Sequence, residues 1–198
     1  MKTIYLWELS EGWKAFDFDA SETKEELSKR GIKIGDGAEI GYGAKIDYDA
    51  KIGNRAKIGD GAEIGYGAKI GYDAEIGNRA EIGDCAKIGN RAKIGDGAEI
   101  GVCAEIGVCA KIGDGARIGD CARIGDGEII IKTIFITGSR HPVIWYGKNV
   151  IHVGCEKETI DWWLSEGESA GRKEGYTEEQ LKEYKQYFEM CKQLQDSM

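Results

Sequence analysis

The sequence predicts an all-β solenoid, a stack of very short strands wound as coils. Three observations predict it. Isoleucine recurs at every sixth position from Ile34 to Ile124, sixteen times without a gap. Alanine stands two residues before each of these except the first, from Ala38 to Ala122. Glycine follows every one of them except Ile46, where Asp47 stands. The unit is Ile-Gly-x-x-Ala-(Glu/Lys/Arg). A helix needs apolar spacings of three and four. Hairpins need alternation broken by turns of varying length. A strict period of six fits neither. Residues two apart on a strand share a face, so Ala and Ile point inward and the charged residue between them outward. Gly-x-x then turns the chain.

The elements follow in order. Residues 2–7 alternate as a strand, Glu11-Gly12 is a turn, and Trp13 to Phe18 form a second strand. Ser21 to Arg30 read as a helix, with Ser21 as N-cap and Gly31 as its stop. That helix leads into the first coil and caps it, because a solenoid leaves an open edge at each end. The repeat fills 31–130. After Ile130 the period fails. Ile131 to Thr137, Val143 to Tyr146 and Val150 to Val153 read as strands, with Gly138-Ser139-Arg140 and Gly147-Lys148-Asn149 as turns. Thr159 caps a short helix that begins at Asp161. Thr177-x-x-Gln180 is a capping box. It opens a helix whose stripe is Leu181, Tyr184, Phe188, Cys191 and Leu194. Three segments result: an N-terminal cap (1–30), the repeat (31–130) and a C-terminal α+β region (131–198), a β-meander with two helices.

The repeat closely resembles the hexapeptide-repeat proteins that form left-handed parallel β-helices, over residues 32–130. The resemblance implies three units per triangular coil of 18 residues, hence about five coils, and a homotrimer. Each Ile would then stack on the Ile 18 positions away, and burying one is worth roughly 1.5–3 kcal/mol. The flanks resemble those of uncharacterised hexapeptide-repeat proteins from bacteria and their phages, which brings no activity with it.

Folding the chain at 18 residues per coil gives three charged columns: Glu39, Lys57, Glu75, Lys93, Lys111; Lys45, Glu63, Glu81, Glu99, Arg117; and Lys51, Lys69, Lys87, Glu105, Arg123. Opposite-sign faces offer a contact between subunits. As a solvated surface their pairs are worth under about 1 kcal/mol each. Carboxylates that alternate with lysine and face water have no reason to shift in pKa. Arg55, Arg79, Arg91, Cys85, Cys103, Cys109 and Cys121 occupy a turn slot held elsewhere by Gly. A positive φ there would cost each of them something, and the sequence offers nothing to offset it for the arginines. Cys85, Cys103 and Cys121 fall one above another, about 4.8 Å apart at Cα, within disulfide range. Reduced turn fillers and a soft-metal or redox ladder are the readings. Tyr48 and Tyr66 stack on the same edge, as turn aromatics or as a contact patch.

Composition narrows the function. The chain has 198 residues, 27 basic and 35 acidic, for a net charge of −8. That balance argues against nucleic-acid or anionic-membrane binding. No apolar run approaches the roughly 18 residues of a membrane span, and Met1 to Glu8 carry no long apolar leader segment. A cytoplasmic location with free thiols is therefore the expectation. No phosphate loop or nucleophile elbow occurs.

Acyltransferases of the hexapeptide family commonly use a His as general base, with acyl-CoA in a groove between subunits. Residues 32–130 contain no His. The related γ-type carbonic anhydrases need three His ligands per zinc, which two His outside the coils do not supply. Two readings follow. In the first, the chain is a non-catalytic rigid scaffold or binding module, homotrimeric, meeting a protein partner through its aromatic-rich terminal regions, with no cofactor or metal. In the second, it is an acyl-CoA-dependent acyltransferase using His141 or His152 as base, with acetyl-CoA as donor. His141, in a turn before Pro142, is expected to be exposed. His152, between Ile151 and Val153, is expected to face solvent.

Overall fold

The computed structural model describes residues 3–131 and 133–197. The chain divides into two compact units, Met1–Ile131 and Lys132–Met198.

The first unit opens with an antiparallel hairpin, β1 (Thr3–Glu8) and β2 (Gly12–Asp17); Lys2, expected in the first strand, lies outside the described residues. Helix α1 (Ser21–Lys29) follows. Its N-cap is Ala20 rather than Ser21, and no side chain caps it. The Thr23 hydroxyl instead ties the first turn to the Asp17 carbonyl at 2.6 Å. Then come two-residue rungs, one every six residues, from β3 (Lys33–Ile34) to β19 (Ile129–Ile130), seventeen among the described residues. The period thus runs one rung beyond Ile124, with Ile130 stacked on Ile112.

Rungs 18 residues apart pair in parallel, in register, Ile over Ile and charged residue over charged residue, except that Ile129 pairs with Lys111. They form three walls of a β-solenoid of about five turns. On one wall β1 takes the place of a rung, pairing Tyr5 with Lys45 and Leu6 with Ile46. Ile4 and Leu6 thereby close the bottom of the core. Every repeat Ile from Ile40 to Ile124 is 0–4% exposed. Alanine fits where two inward side chains approach a corner. Most glycines that follow Ile are needed for space: a Cβ on Gly77 would sit 2.5 Å from the Gly95 carbonyl carbon of the next coil.

The corners explain the odd residues. Asp49, Arg55, Asp73, Arg79, Cys85, Arg91, Cys103, Cys109 and Cys121 all have φ between 53 and 58°. That is the left-handed region, which costs an L-residue roughly 1–2 kcal/mol. On the walls, Lys45 bridges Glu63 at 2.6 Å, Lys87 bridges Glu105 at 2.7 Å and Arg117 forks onto Glu99 at 2.6 and 2.7 Å. The expectation of unshifted carboxylates is corrected at Glu105 and Asp73. The ammonium of Lys87 and the guanidinium of Arg55, respectively, hold them below the usual range. Tyr48 lies under the Arg30 guanidinium, 5.8 Å from ring centre to Cζ.

The second unit is a four-stranded antiparallel meander, β20 (Ile134–Ile136), β21 (Val143–Trp145), β22 (Ile151–Val153) and β23 (Glu156–Glu158), followed by α2 (Ile160–Lys173) and α3 (Glu178–Asp196). The strand expected over 131–137 starts at Ile134; Lys132 lies outside the described residues. Thr159 caps α2 by accepting from the Trp162 N–H at 3.1 Å. Thr177 and Gln180 form the capping box of α3. Val143, Trp145, Ile151 and Val153 pack against Ile160 and Trp163 of α2 and Tyr184, Phe188 and Cys191 of α3. Gly171 lets the helices close, since a Cβ there would meet Leu181 at 2.6 Å.

Candidate functional site

The coils hold pairs of opposite charge and no imidazole, so the candidate chemistry lies in the second unit. The turn between β20 and β21 is held from three sides. Tyr184 of α3 is buried, and its hydroxyl donates to the His141 carbonyl at 2.6 Å while accepting the backbone N–H of Arg140 at 3.1 Å and of His141 at 2.5 Å. One donor and two lone pairs are thus all used. Gly138 is required beneath it, because a Cβ there would lie 2.5 Å from the Tyr184 hydroxyl. Arg140 donates to the carbonyls of Glu174 and Gly175 at 2.7 and 2.8 Å. These are carbonyls just past α2, where a cation satisfies the exposed helix end. Its guanidinium also covers the Tyr176 ring at 4.8 Å. The Ser139 N–H and hydroxyl donate to Glu183, whose carboxyl they hold below its usual range.

This clamp sets His141. Its Nδ1 lies 2.6 Å from the Tyr176 hydroxyl. Burial pushes the Tyr176 phenol up to about 12, so it stays neutral. The imidazole packs over Gly154, where a Cβ would meet its Cδ2 at 3.2 Å. His141, Tyr176 and Tyr184 line a cleft of about 320 Å³. Trp163, Leu181 and Phe188 give it an apolar floor, and Cys155, Glu156, Glu168, Glu174 and Lys185 supply its polar atoms.

Both expectations for the histidines are corrected. His141 is half-buried, because α2 and α3 pack beside its turn. His152 is 7% exposed, and its ring stands edge-on to Tyr146 with centroids 4.8 Å apart. Strand alternation is the wrong guide where both faces of the sheet are covered. The structure does not bring the two together: Val153 lines the cleft, and His152 belongs to the other face of β22. Tyr176 and Arg140 escape a sequence reading, since no local spacing links residues 35 apart. Tyr184 was within reach as a polar member of the α3 stripe.

Residues 31–66 and 55–90 match the family model described as "Bacterial transferase hexapeptide (six repeats)". No curated protein matches the chain by sequence. Among solved structures, the acetyltransferase domain of PglB from Neisseria gonorrhoeae FA1090, in complex with acetyl coenzyme A, is similar at 21% identity over 51% of each chain, with a TM-score of 0.45. WeeI from Acinetobacter baumannii AYE is similar at 22% identity over 56% of this chain and 61% of that one, TM-score 0.46. PerB from Caulobacter crescentus, in complex with CoA and GDP-perosamine, is similar at 18% identity over 56% and 62%, TM-score 0.42. The chain spans between about half and three fifths of the length of these structures. Likeness at this level concerns the fold. The matched repeat and the in-register coils built from it make this chain a member of the hexapeptide-repeat left-handed β-helix superfamily.

Proposed function

We propose that this chain is a hexapeptide-repeat acyltransferase in which the coils serve as a rigid, homotrimeric scaffold and the C-terminal cleft takes the acyl acceptor. The observation that carries the reading is the 2.6 Å contact of His141 Nδ1 with the Tyr176 hydroxyl at the cleft wall. With the Nδ1 hydrogen donated to the Tyr176 oxygen, Nε2 keeps its lone pair and can take a proton from an acceptor amine or hydroxyl. The transferase description of the matching family model supports the same reaction class. His152, sealed against Tyr146, has no part in it.

The phosphate-bearing end of acetyl-CoA does not suit this cleft. Glu156, Glu168 and Glu174 face it against Lys185, and carboxylates repel a ligand rich in phosphate. The cleft suits an acceptor with a cationic or neutral polar end and an apolar body.

The test is acyl transfer from acetyl-CoA to a panel of primary amines and alcohols. His141→Ala is expected to lose turnover about 100-fold or more, and His152→Ala to retain it. Equal retention in both would reject His141 as base. No turnover by the unaltered protein would leave the second reading, a non-catalytic scaffold. What favours that reading is the wall chemistry: Glu63, Glu75, Glu99 and Glu105 are each tied to a Lys or Arg of the adjacent rung. Sedimentation tests the trimer, and a monomer at high concentration would end that part of the proposal.

A further inference from the structure

One corner of the solenoid carries cysteine in three successive coils. Its left-handed slot reads Gly31, Asp49, Gly67, Cys85, Cys103, Cys121. The corner that holds Cys109 has Arg91 below it and Gly127 above, so that thiol has no neighbouring thiol in its column. At another corner Arg55 in this slot is offset by Asp73. At this corner the cysteines have one another.

The backbone fixes their spacing. The N–H groups of Cys85, Cys103 and Cys121 donate to the carbonyls of Tyr66, Asp84 and Val102 at 2.7, 2.8 and 2.8 Å. Their φ values are 57, 57 and 55°. Equal torsions on equal coils repeat one side-chain geometry at the rung spacing, about 4.7–4.9 Å. Each side chain at such a corner leans back over the rung below: the Cys85 sulfur lies 3.6 Å from where a Gly67 Cβ would stand. The three thiols are exposed and free.

Two metal–thiolate bonds of roughly 2.3 Å each, laid end to end, span about 4.6 Å, which is close to one rung. A four-coordinate ion needs ligands that converge, and among the described residues no three His, Cys, Asp or Glu side chains do so. We propose that Cys85, Cys103 and Cys121 form a binding ladder for a soft, two-coordinate cation, Cu(I) by chemical class, held between Cys103 and one neighbour. Thiolate sulfur selects such ions over Mg²⁺ or Ca²⁺. Binding converts two thiols and one Cu⁺ into an S–Cu–S unit of charge −1 and releases two protons. Local desolvation at the corner and the flanking thiols raise the exposed Cys103 thiol above its usual range. This inference is independent of the acyl-transfer reading.

The experiment titrates the reduced full-length protein with Cu(I), without oxygen, against the competing chelator bicinchoninate. Cys103 belongs to both possible pairs. Cys103→Ser and Cys103→Gly are each expected to weaken Cu(I) binding at least tenfold. The glycine variant restores the residue this slot holds at Gly31 and Gly67, so the coils stay folded, as circular dichroism will report. Cys85→Ser and Cys121→Ser each leave one pair and keep most of the affinity. Cys109→Ser and Cys155→Ser leave it unchanged. Unaltered affinity in Cys103→Gly, or an equal loss in every cysteine variant, would overturn the ladder.

Discussion

Arg55 forks onto Asp73, one coil above, with Nε and Nη2 donating to the two carboxylate oxygens at 2.8 and 2.6 Å. Both residues sit at left-handed corners, φ 56 and 53°. The guanidinium also lies over the Tyr72 ring at 4.6 Å. A planar fork matched to a carboxylate, with an aromatic face beneath it, is an arrangement Lys cannot reproduce. It accounts for an arginine where the repeat otherwise favours Gly.

Two substitutions separate the backbone cost from the bridge. Arg55→Gly and Arg55→Ala both remove the bridge, and only alanine keeps the positive-φ cost. Arg55→Ala should therefore be the less stable of the two by about 1 kcal/mol in urea unfolding. Equal stability would mean that the corner does not constrain φ in solution.

Acid should weaken the N-terminal cap. Lys29 and then Arg30 hold Glu26 at about 2, below its ordinary 4.5. Arg30 is 5% exposed and also donates to the Trp7 carbonyl at 3.0 Å, joining α1 to the hairpin. A carboxyl depressed on folding stabilises above its unfolded pKa, and that contribution fades as pH falls through the folded value. The Tm deficit of Glu26→Gln should thus be full at pH 7 and shrink between 4.5 and about 2. A deficit constant with pH would remove the charge from the explanation.

The coils were legible because their physics is local and repeated: an inward Ile on each of seventeen rungs, with Ala before it and Gly after it in nearly every one. The capping residues Thr159 and Thr177 were legible for the same reason, since a cap reaches only three residues ahead. The cleft was not. His141 meets Tyr176 across 35 positions and Tyr184 across 43, through the packing of single-copy elements with no period to expose them. Strand β23 was missed because Glu156-Lys157-Glu158 has no apolar alternation; its pairing with β22 decides its state.

The clamp on His141 makes its own prediction. In Gly138→Ala, the new methyl would overlap the Tyr184 hydroxyl and the His141 carbonyl, at 2.5 and 2.6 Å. Overpacking of this kind costs about 1–3 kcal/mol. Tyr184→Phe leaves the Arg140 and His141 N–H groups without that acceptor, for about 1–3 kcal/mol. Phenylalanine has no hydroxyl to collide with, so the double variant should cost less than the sum. Strict additivity in thermal unfolding would mean that the turn does not rest on Tyr184.

Asp47, the one residue that breaks the Gly rule, answers a gap one coil above. In most coils an Asn or Asp 18 positions on accepts the first N–H of the turn: Tyr42 donates to Asp60 at 2.7 Å, Asp60 to Asn78 at 2.8 Å and Tyr72 to Asn90 at 2.9 Å. For Tyr48 that position is Tyr66, which has no side-chain oxygen near its own backbone to offer. Asp47 accepts the Tyr48 N–H instead, at 2.7 Å. Asp47→Gly should then destabilise by about 1 kcal/mol. Tyr66→Asn, placed in that background, should return most of the loss by restoring the acceptor that most turns use. Tyr66→Asn alone gives up the hydroxyl's bond to Asp49, so the quantity to read is the coupling in a double-mutant cycle. A coupling of zero would show that Asp47 serves some purpose other than the Tyr48 amide.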